Sequence, residues 1–191
     1  MEKGGLVEAL RANGVKASQC VVWADAMRVG LYGQVRRVWA PRGVKVRQAV
    51  QIVYRWAYLA LAVDVRSGRL LWSWIRRLKA EAIAQVVGSW QADGVEVVVW
   101  DGARAHKAQQ VGVRLICQPP YAPELNPVER VFEELRRWVE GRVYADLAEK
   151  QRAVEAVLGA LEADPERMKR LTGWPWILHA FEQLRLNMTP P

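Results

Sequence analysis

The chain has 191 residues, 51% of them hydrophobic, with 28 Lys or Arg against 20 Asp or Glu and a formal charge of +8. That length suits one domain able to bury about 70% of its unfolded surface. No apolar run reaches membrane-spanning length, Met-Glu-Lys-Gly-Gly does not open a signal peptide, and Cys20 and Cys117 lack metal-ligand spacing; the composition therefore predicts a cytoplasmic protein with reduced core thiols and no zinc site.

In chain order, residues 5–13 read as a short helix stopped by Gly14. Residues 19–24 form a buried strand ending at Asp25, and residues 35–40 a second, closed by the turn Pro41-Arg42-Gly43. A β-rich stretch over 49–64 turns through Val65-Arg-Ser-Gly68 into a returning strand over 70–75. Helical periodicity over 79–91 carries Ile83, Val86, Val87 and Trp90 on one face, and Gly94 ends it. Residues 95–100 are a continuous apolar run, the pattern of a strand buried on both faces, and Asp101 follows it.

A short helix over 103–110 and a short strand over 113–117 come next, before Pro119-Pro120 breaks regular structure. Asn126 suits an N-cap and Pro127 the first helical position, so Glu129 falls at the third. From there Val128, Val131, Phe132, Leu135 and Val139 make one apolar face on a helix running to about residue 141. Asp146 caps another helix to about residue 162, and Asp164-Pro165 starts a last one, interrupted near Trp174-Pro175. The tail 187–191 is expected to fray.

An antiparallel meander followed by βαβ crossovers predicts an α/β fold with an RNase H-like mixed sheet flanked by helices. Residues 1–18 are expected to be a helical lead-in, 19–145 the catalytic domain, and 146–191 a C-terminal helical extension packed on it. In that layout the first and fourth strands are central neighbours, so Asp25 and Asp101 would emerge at one sheet end, where ligands of open α/β sheets bind. Two strand carboxylates and one in the first turn of a helix are the raw material of a two-metal phosphoryl-transfer site. Each acid also has a plainer reading. Asp25 suits a strand-ending turn, Asp101-Gly102 is a common turn dipeptide, and Glu129 could close a capping box on the Asn126 amide. Asp64 reads as a hairpin residue, and Glu124 is an alternative third ligand to Glu129.

Between Arg28 and Lys79 stand twelve Lys or Arg and one acid, Asp64, while the remainder holds 16 basic and 19 acidic residues. A basic half beside an acid-bearing half suggests a polyanion laid across one surface. Arg36, Arg37, Arg42, Lys45 and Arg47 are the candidate phosphate contacts there, with Arg104, His106 and Lys107 beside Asp101. Trp39, flanked by cations, could stack on a base. Trp23, Trp72 and Trp100 read as core, and His179 as structural. No Gly-rich phosphate loop occurs, and no serine lies in an elbow-like context.

Four segments carry a family resemblance: Trp23-Ala-Asp25-Ala-Met-Arg-Val-Gly-Leu31, Arg37-Val-Trp-Ala-Pro-Arg-Gly43, Val98-Val-Trp-Asp101-Gly-Ala-Arg-Ala-His106-Lys107, and Pro119-Pro-Tyr-Ala-Pro-Glu-Leu-Asn-Pro-Val-Glu129. Together they resemble the catalytic domain of bacterial DDE transposases of the mariner-like superfamily, in particular the insertion-sequence-630 type. The resemblance implies metal-dependent DNA strand cleavage and strand transfer, with two Mg²⁺ or Mn²⁺ ions on Asp25, Asp101 and Glu129. It further implies transposon ends and target DNA as partners, a homodimer, a separate N-terminal helix-turn-helix recognition part, and a cytoplasmic, nucleoid-associated bacterial protein. This chain departs from the family in having Ala26 where Glu is frequent and Gly102 where Asn is frequent. The spacing of 28 from Asp101 to Glu129 is also short. About 18 residues precede the first strand, fewer than a helix-turn-helix needs; the expectation is the catalytic part of a longer or split transposase, or a truncated copy. The rival readings are a catalytically silent DNA-binding or assembly module and a host RNase H-like nuclease.

Overall fold

The hairpin Val65–Gly68 organises the first half of the sheet. Asp64 accepts hydrogen bonds from the Arg66 amide (3.0 Å) and the Ser67 hydroxyl (2.9 Å), and the Gly68 amide returns to the Asp64 carbonyl (2.8 Å). Gly68 adopts φ +76°, and a Cβ there would stand 2.2 Å from the Pro165 carbonyl oxygen, so the position requires glycine on both counts. The computed structural model describes residues 5–33, 39–100, 112–119 and 122–186. Among them, β1 (Val21–Gly30), β2 (Trp56–Asp64) and β3 (Arg69–Ile75) form an antiparallel meander. β4 (Val97–Trp100) and β5 (Arg114–Cys117) extend it by parallel pairing, giving the order β3-β2-β1-β4-β5. This is the predicted mixed sheet, with the first and fourth strands side by side.

Each face of the sheet has its own core. Helix α2 (Ala80–Ala92) sets Ile83, Val86, Val87 and Trp90 against Val22, Ala24, Val98 and Trp100. The Trp90 and Trp100 rings stack there at 5.8 Å between centroids. The alternate residues Trp23, Leu59, Leu61, Val97 and Val99 point to the other face and a larger core. That face is covered by α1 (Gly5–Ala12), α3 (Val128–Val139), α4 (Leu147–Glu162), α5 (Pro165–Thr172) and α6 (Pro175–Leu186). All five residues of the predicted apolar face of α3 are buried. Asp146 caps α4 through the Glu149 amide (2.7 Å) and Asp164 caps α5 through the Arg167 amide (2.9 Å). The Trp74 and Trp72 indoles donate to Glu155 (2.8 Å) and Glu162 (3.1 Å), tying α4 to β3. No helix of the described residues is long and apolar enough to cross a membrane.

Several expectations are corrected. β1 does not end at Asp25 but continues five residues further, because Ala26–Gly30 still face β2 partners from Ala60 to Trp56. β2 begins at Trp56 rather than 49: the register closes at Gly30–Trp56, and among the described residues no strand pairs with Val50, Ile52 and Tyr54. Residues 35–38 of the predicted second strand and the whole predicted helix 103–110 lie outside the described residues, and Trp39 and Ala40 are in no strand. α3 ends at Val139, two residues early. Cys117 is exposed, not core, since it closes the edge strand β5. Cys20 is half-buried, and burial, then the Asp64 carboxylate, pushes its thiol upward. His179, read as structural, is exposed and bonded to Gln183 and Glu182 of its own helix, in keeping with that reading.

Candidate catalytic site

Asp25 sits in the body of β1 with its backbone opposite Leu61. Its carboxylate accepts the Ala26 amide on Oδ1 (2.7 Å) and the Asn126 side-chain amide on Oδ2 (3.2 Å). Asn126 is buried. Its Nδ2 also donates to the Ala24 carbonyl (3.2 Å), and its Oδ1 accepts the Val128 amide at the start of α3 (3.2 Å). One side chain thus performs the predicted capping and also fixes the helix start against the strand that carries Asp25.

On either side of residues 120 and 121, which lie outside the described residues, the chain leading to this point is pinned by hydrogen bonds. The amide of Gln118 donates to the carbonyl of Trp100, the last residue of β4 (2.7 Å), and its buried side chain donates to the Leu125 carbonyl (3.0 Å). Pro123–Leu125 form one 3₁₀ turn, and the Asn126 amide closes on the Pro123 carbonyl (2.9 Å). The Asn126 amide is therefore satisfied by backbone, not by Glu129, and the capping-box reading of Glu129 is not the arrangement adopted. The end of β4, the middle of β1 and the beginning of α3 are held together by Gln118, through its backbone amide and its side chain, and by the Asn126 side chain.

Glu129 lies in the first turn of α3, where the helix dipole favours a carboxylate. Its side chain is 33% exposed and lies 3.7 Å from the Arg136 guanidinium. It opens onto a cleft of about 600 Å³ lined by Pro123, Glu124, Glu129, Arg130, Glu133, Trp174 and Trp176. Glu124 shares that cleft, so both acids considered for a third ligand face one space. Carboxylate oxygens are the donors that Mg²⁺ and Mn²⁺ prefer, and Asp25 and Glu129 fit such an ion by donor chemistry. Among the described residues no group of three acidic, histidine or cysteine side chains comes together as a metal centre.

Asp101, Arg104, His106, Lys107, Arg36 and Arg37 lie outside the described residues; Asp101 is the next residue in sequence after Trp100. Arg42, Lys45 and Arg47 are exposed in the irregular stretch 39–55, beside a fully exposed Trp39. Gln51 anchors that stretch to Tyr144 through a pair of side-chain bonds (2.8 and 3.3 Å). The bridging roles of Asn126 and Gln118 went unseen in the sequence. The one available signal was two amide residues amid prolines and apolar neighbours, where burial demands that each polar group find a partner.

Residues 20–150 match the family model described as DDE superfamily endonuclease. No curated protein matches the sequence. Among solved structures, the Mos1 strand transfer complex is similar with a TM-score of 0.65 at 13% identity, over 96% of this chain and 58% of that one. The mariner Mos1 paired end complex with Mg gives 0.66 at 12%, over 95% and 59%, and the complex with Mn gives 0.62 at 10%, over 88% and 57%. At such identities the likeness concerns the fold, a mixed five-stranded sheet between helices. This chain spans less than two-thirds of those Mos1 chains. With the family's match running through β1, the whole sheet and the helix that bears Glu129, the protein belongs to the DDE superfamily endonucleases.

Proposed function

We propose that this chain is the catalytic part of a mariner-like transposase of the insertion-sequence-630 type, cutting DNA strands and joining the freed 3′ ends to target DNA. The observation that carries the reading is Asn126, which joins the Asp25 carboxylate to the start of the Glu129 helix through hydrogen bonds of 3.2 Å. Asp25, Asp101 and Glu129 would hold two Mg²⁺ or Mn²⁺ ions, with residues 19–145 as the catalytic domain, 1–18 leading in and 146–191 as a helical extension. When bound, these ions supply activation of the attacking hydroxyl and stabilisation of the leaving oxygen. The chain's own part is placement. Asn126 orients the Asp25 carboxylate from one side, and the first turn of α3 presents the Glu129 carboxylate at the positive end of the helix dipole. Arg42, Lys45 and Arg47, with Arg36, Arg37, Arg104, His106 and Lys107, neutralise phosphates without reading sequence. The Mos1 structures are paired-end and strand transfer complexes; by analogy this chain works as a homodimer on two DNA ends in the cytoplasm, with a helix-turn-helix part supplying end recognition.

The test is nicking of supercoiled plasmid at low salt with Mg²⁺ or Mn²⁺, comparing the protein with Asp101→Asn. Metal-dependent nicking that the variant loses supports the reading. DNA binding without nicking by either protein replaces it with the silent module. A preference for branched or RNA–DNA substrates replaces it with the host nuclease.

A further inference from the structure

Where β2 begins and β3 ends, the sheet opens into a groove of about 860 Å³ whose walls include Tyr54, Arg55, Trp56, Arg76, Arg77 and Lys79. The register explains why these residues meet. Trp56 pairs with Gly30 at the far end of β1, and Ile75 pairs with Tyr58, so the cations following β3 face the residues entering β2. All four cations are exposed, and none forms an ion pair among the described residues. Among the described residues Glu81 is the one acid in the lining. Uncompensated cations held at one place repel each other, and a polyanion relieves that repulsion.

The aromatic side chains narrow the choice of polyanion. Tyr54 is 71% exposed and Trp56 44%. The Arg28 guanidinium lies 5.4 Å from the Trp56 ring centroid, and Tyr54 lies 5.0 Å from Tyr32. Exposed rings interleaved with arginines are the composition of single-strand binding grooves, where every base offers a stacking face. Bases inside a duplex are already stacked on one another, so such rings favour a strand that is unpaired or can be opened. Gly30 lies five residues beyond Asp25 along β1, a run of roughly 17 Å, or about five base-pair steps of duplex. The groove is thus placed for DNA flanking the cleavage point, and Arg42, Lys45 and Arg47 are not among its lining residues.

We propose that this groove binds an unpaired stretch of flanking DNA, with phosphates on Arg55, Arg76, Arg77 and Lys79 and a base stacked on Trp56; the inference rests on the transposase reading. The experiment is anisotropy of labelled oligonucleotides in EDTA, which keeps chemistry off. One probe is a blunt duplex, and the other is the same duplex with a single-stranded tail of about six nucleotides, within the range such grooves hold. Wild type should prefer the tailed probe. Trp56→Ala should weaken the tailed probe roughly tenfold and leave the blunt one unchanged, with Trp56→Phe restoring most of the loss. Arg76→Ala with Arg77→Ala should lower the salt slope for the tailed probe by about 1.4, two single-strand phosphate contacts. Equal affinity for both probes, or groove variants that bind the tail as wild type does, overturns the groove alone while plasmid nicking persists. Failure of wild type to bind either probe overturns the groove and the transposase reading together.

Discussion

Asn126 is buried and makes three side-chain hydrogen bonds to two other parts of the chain, whereas Arg42, Lys45 and Arg47 stand exposed on a stretch with no regular structure. The two regions serve different parts of the same proposed chemistry. Metal-holding carboxylates must be placed to within a fraction of an ångström, and the core is the only source of that rigidity. Phosphate-neutralising cations act through a field that falls off over several ångströms, so an irregular, adaptable segment serves them well. Precision is concentrated at α3, and adaptability at 39–55.

The sharpest way to break this contrast is to remove the support beneath α3. Phe132 is buried at the centre of its apolar face, and Phe132→Ala should cost about 3–5 kcal/mol in urea unfolding, with plasmid nicking lost along with the fold. Asn126→Ala should cost less, about 2 kcal/mol, combining a lost cap with the lost side-chain bonds to Ala24 and Asp25. Under conditions where that variant remains folded, nicking should nevertheless fall steeply, because the Asp25 carboxylate loses its bridge to α3. A folded Asn126→Ala protein that nicks as wild type does would break the link between placement and activity. At the small end, Arg42→Ala with Lys45→Ala should leave stability within about 0.5 kcal/mol. The salt slope of duplex binding should nonetheless drop by about 1.8, two duplex phosphate contacts. If this pair destabilised the fold as Asn126→Ala does, the stretch 39–55 would be structural and the contrast would vanish.

What the sequence made legible follows the same division. The apolar face of α3, the hairpin at Gly68 and the caps Asp146 and Asp164 were all readable, because each rests on local spacing or local backbone chemistry. Strand limits were less so. The alternation of Val50, Ile52 and Tyr54 satisfies every local rule for a strand, yet pairing is a property of two segments, and β1 ends opposite Trp56. The same blindness hid the continuation of β1 past Asp25, whose residues Ala26–Gly30 look unremarkable until β2 is laid beside them. Asn126 could be read as a cap from its neighbours, but its bond to Asp25 spans 101 positions, and no short-range pattern announces such a contact. Cys117 was misplaced for a related reason: membership of an edge strand is decided by the order of the whole sheet.

Exposed hairpin tips are usually where a fold accepts new sequence: insertions, tags and fused domains tend to enter there because nothing is packed against them. The β2–β3 tip of this protein is closed to that route, since Gly68 already lies against the Pro165 carbonyl with no space for even a methyl group. Lineages elaborating this scaffold, and engineers grafting onto it, must therefore lengthen some other connection. The stretch 39–50, exposed at every residue, is a place on the described chain where added sequence displaces little.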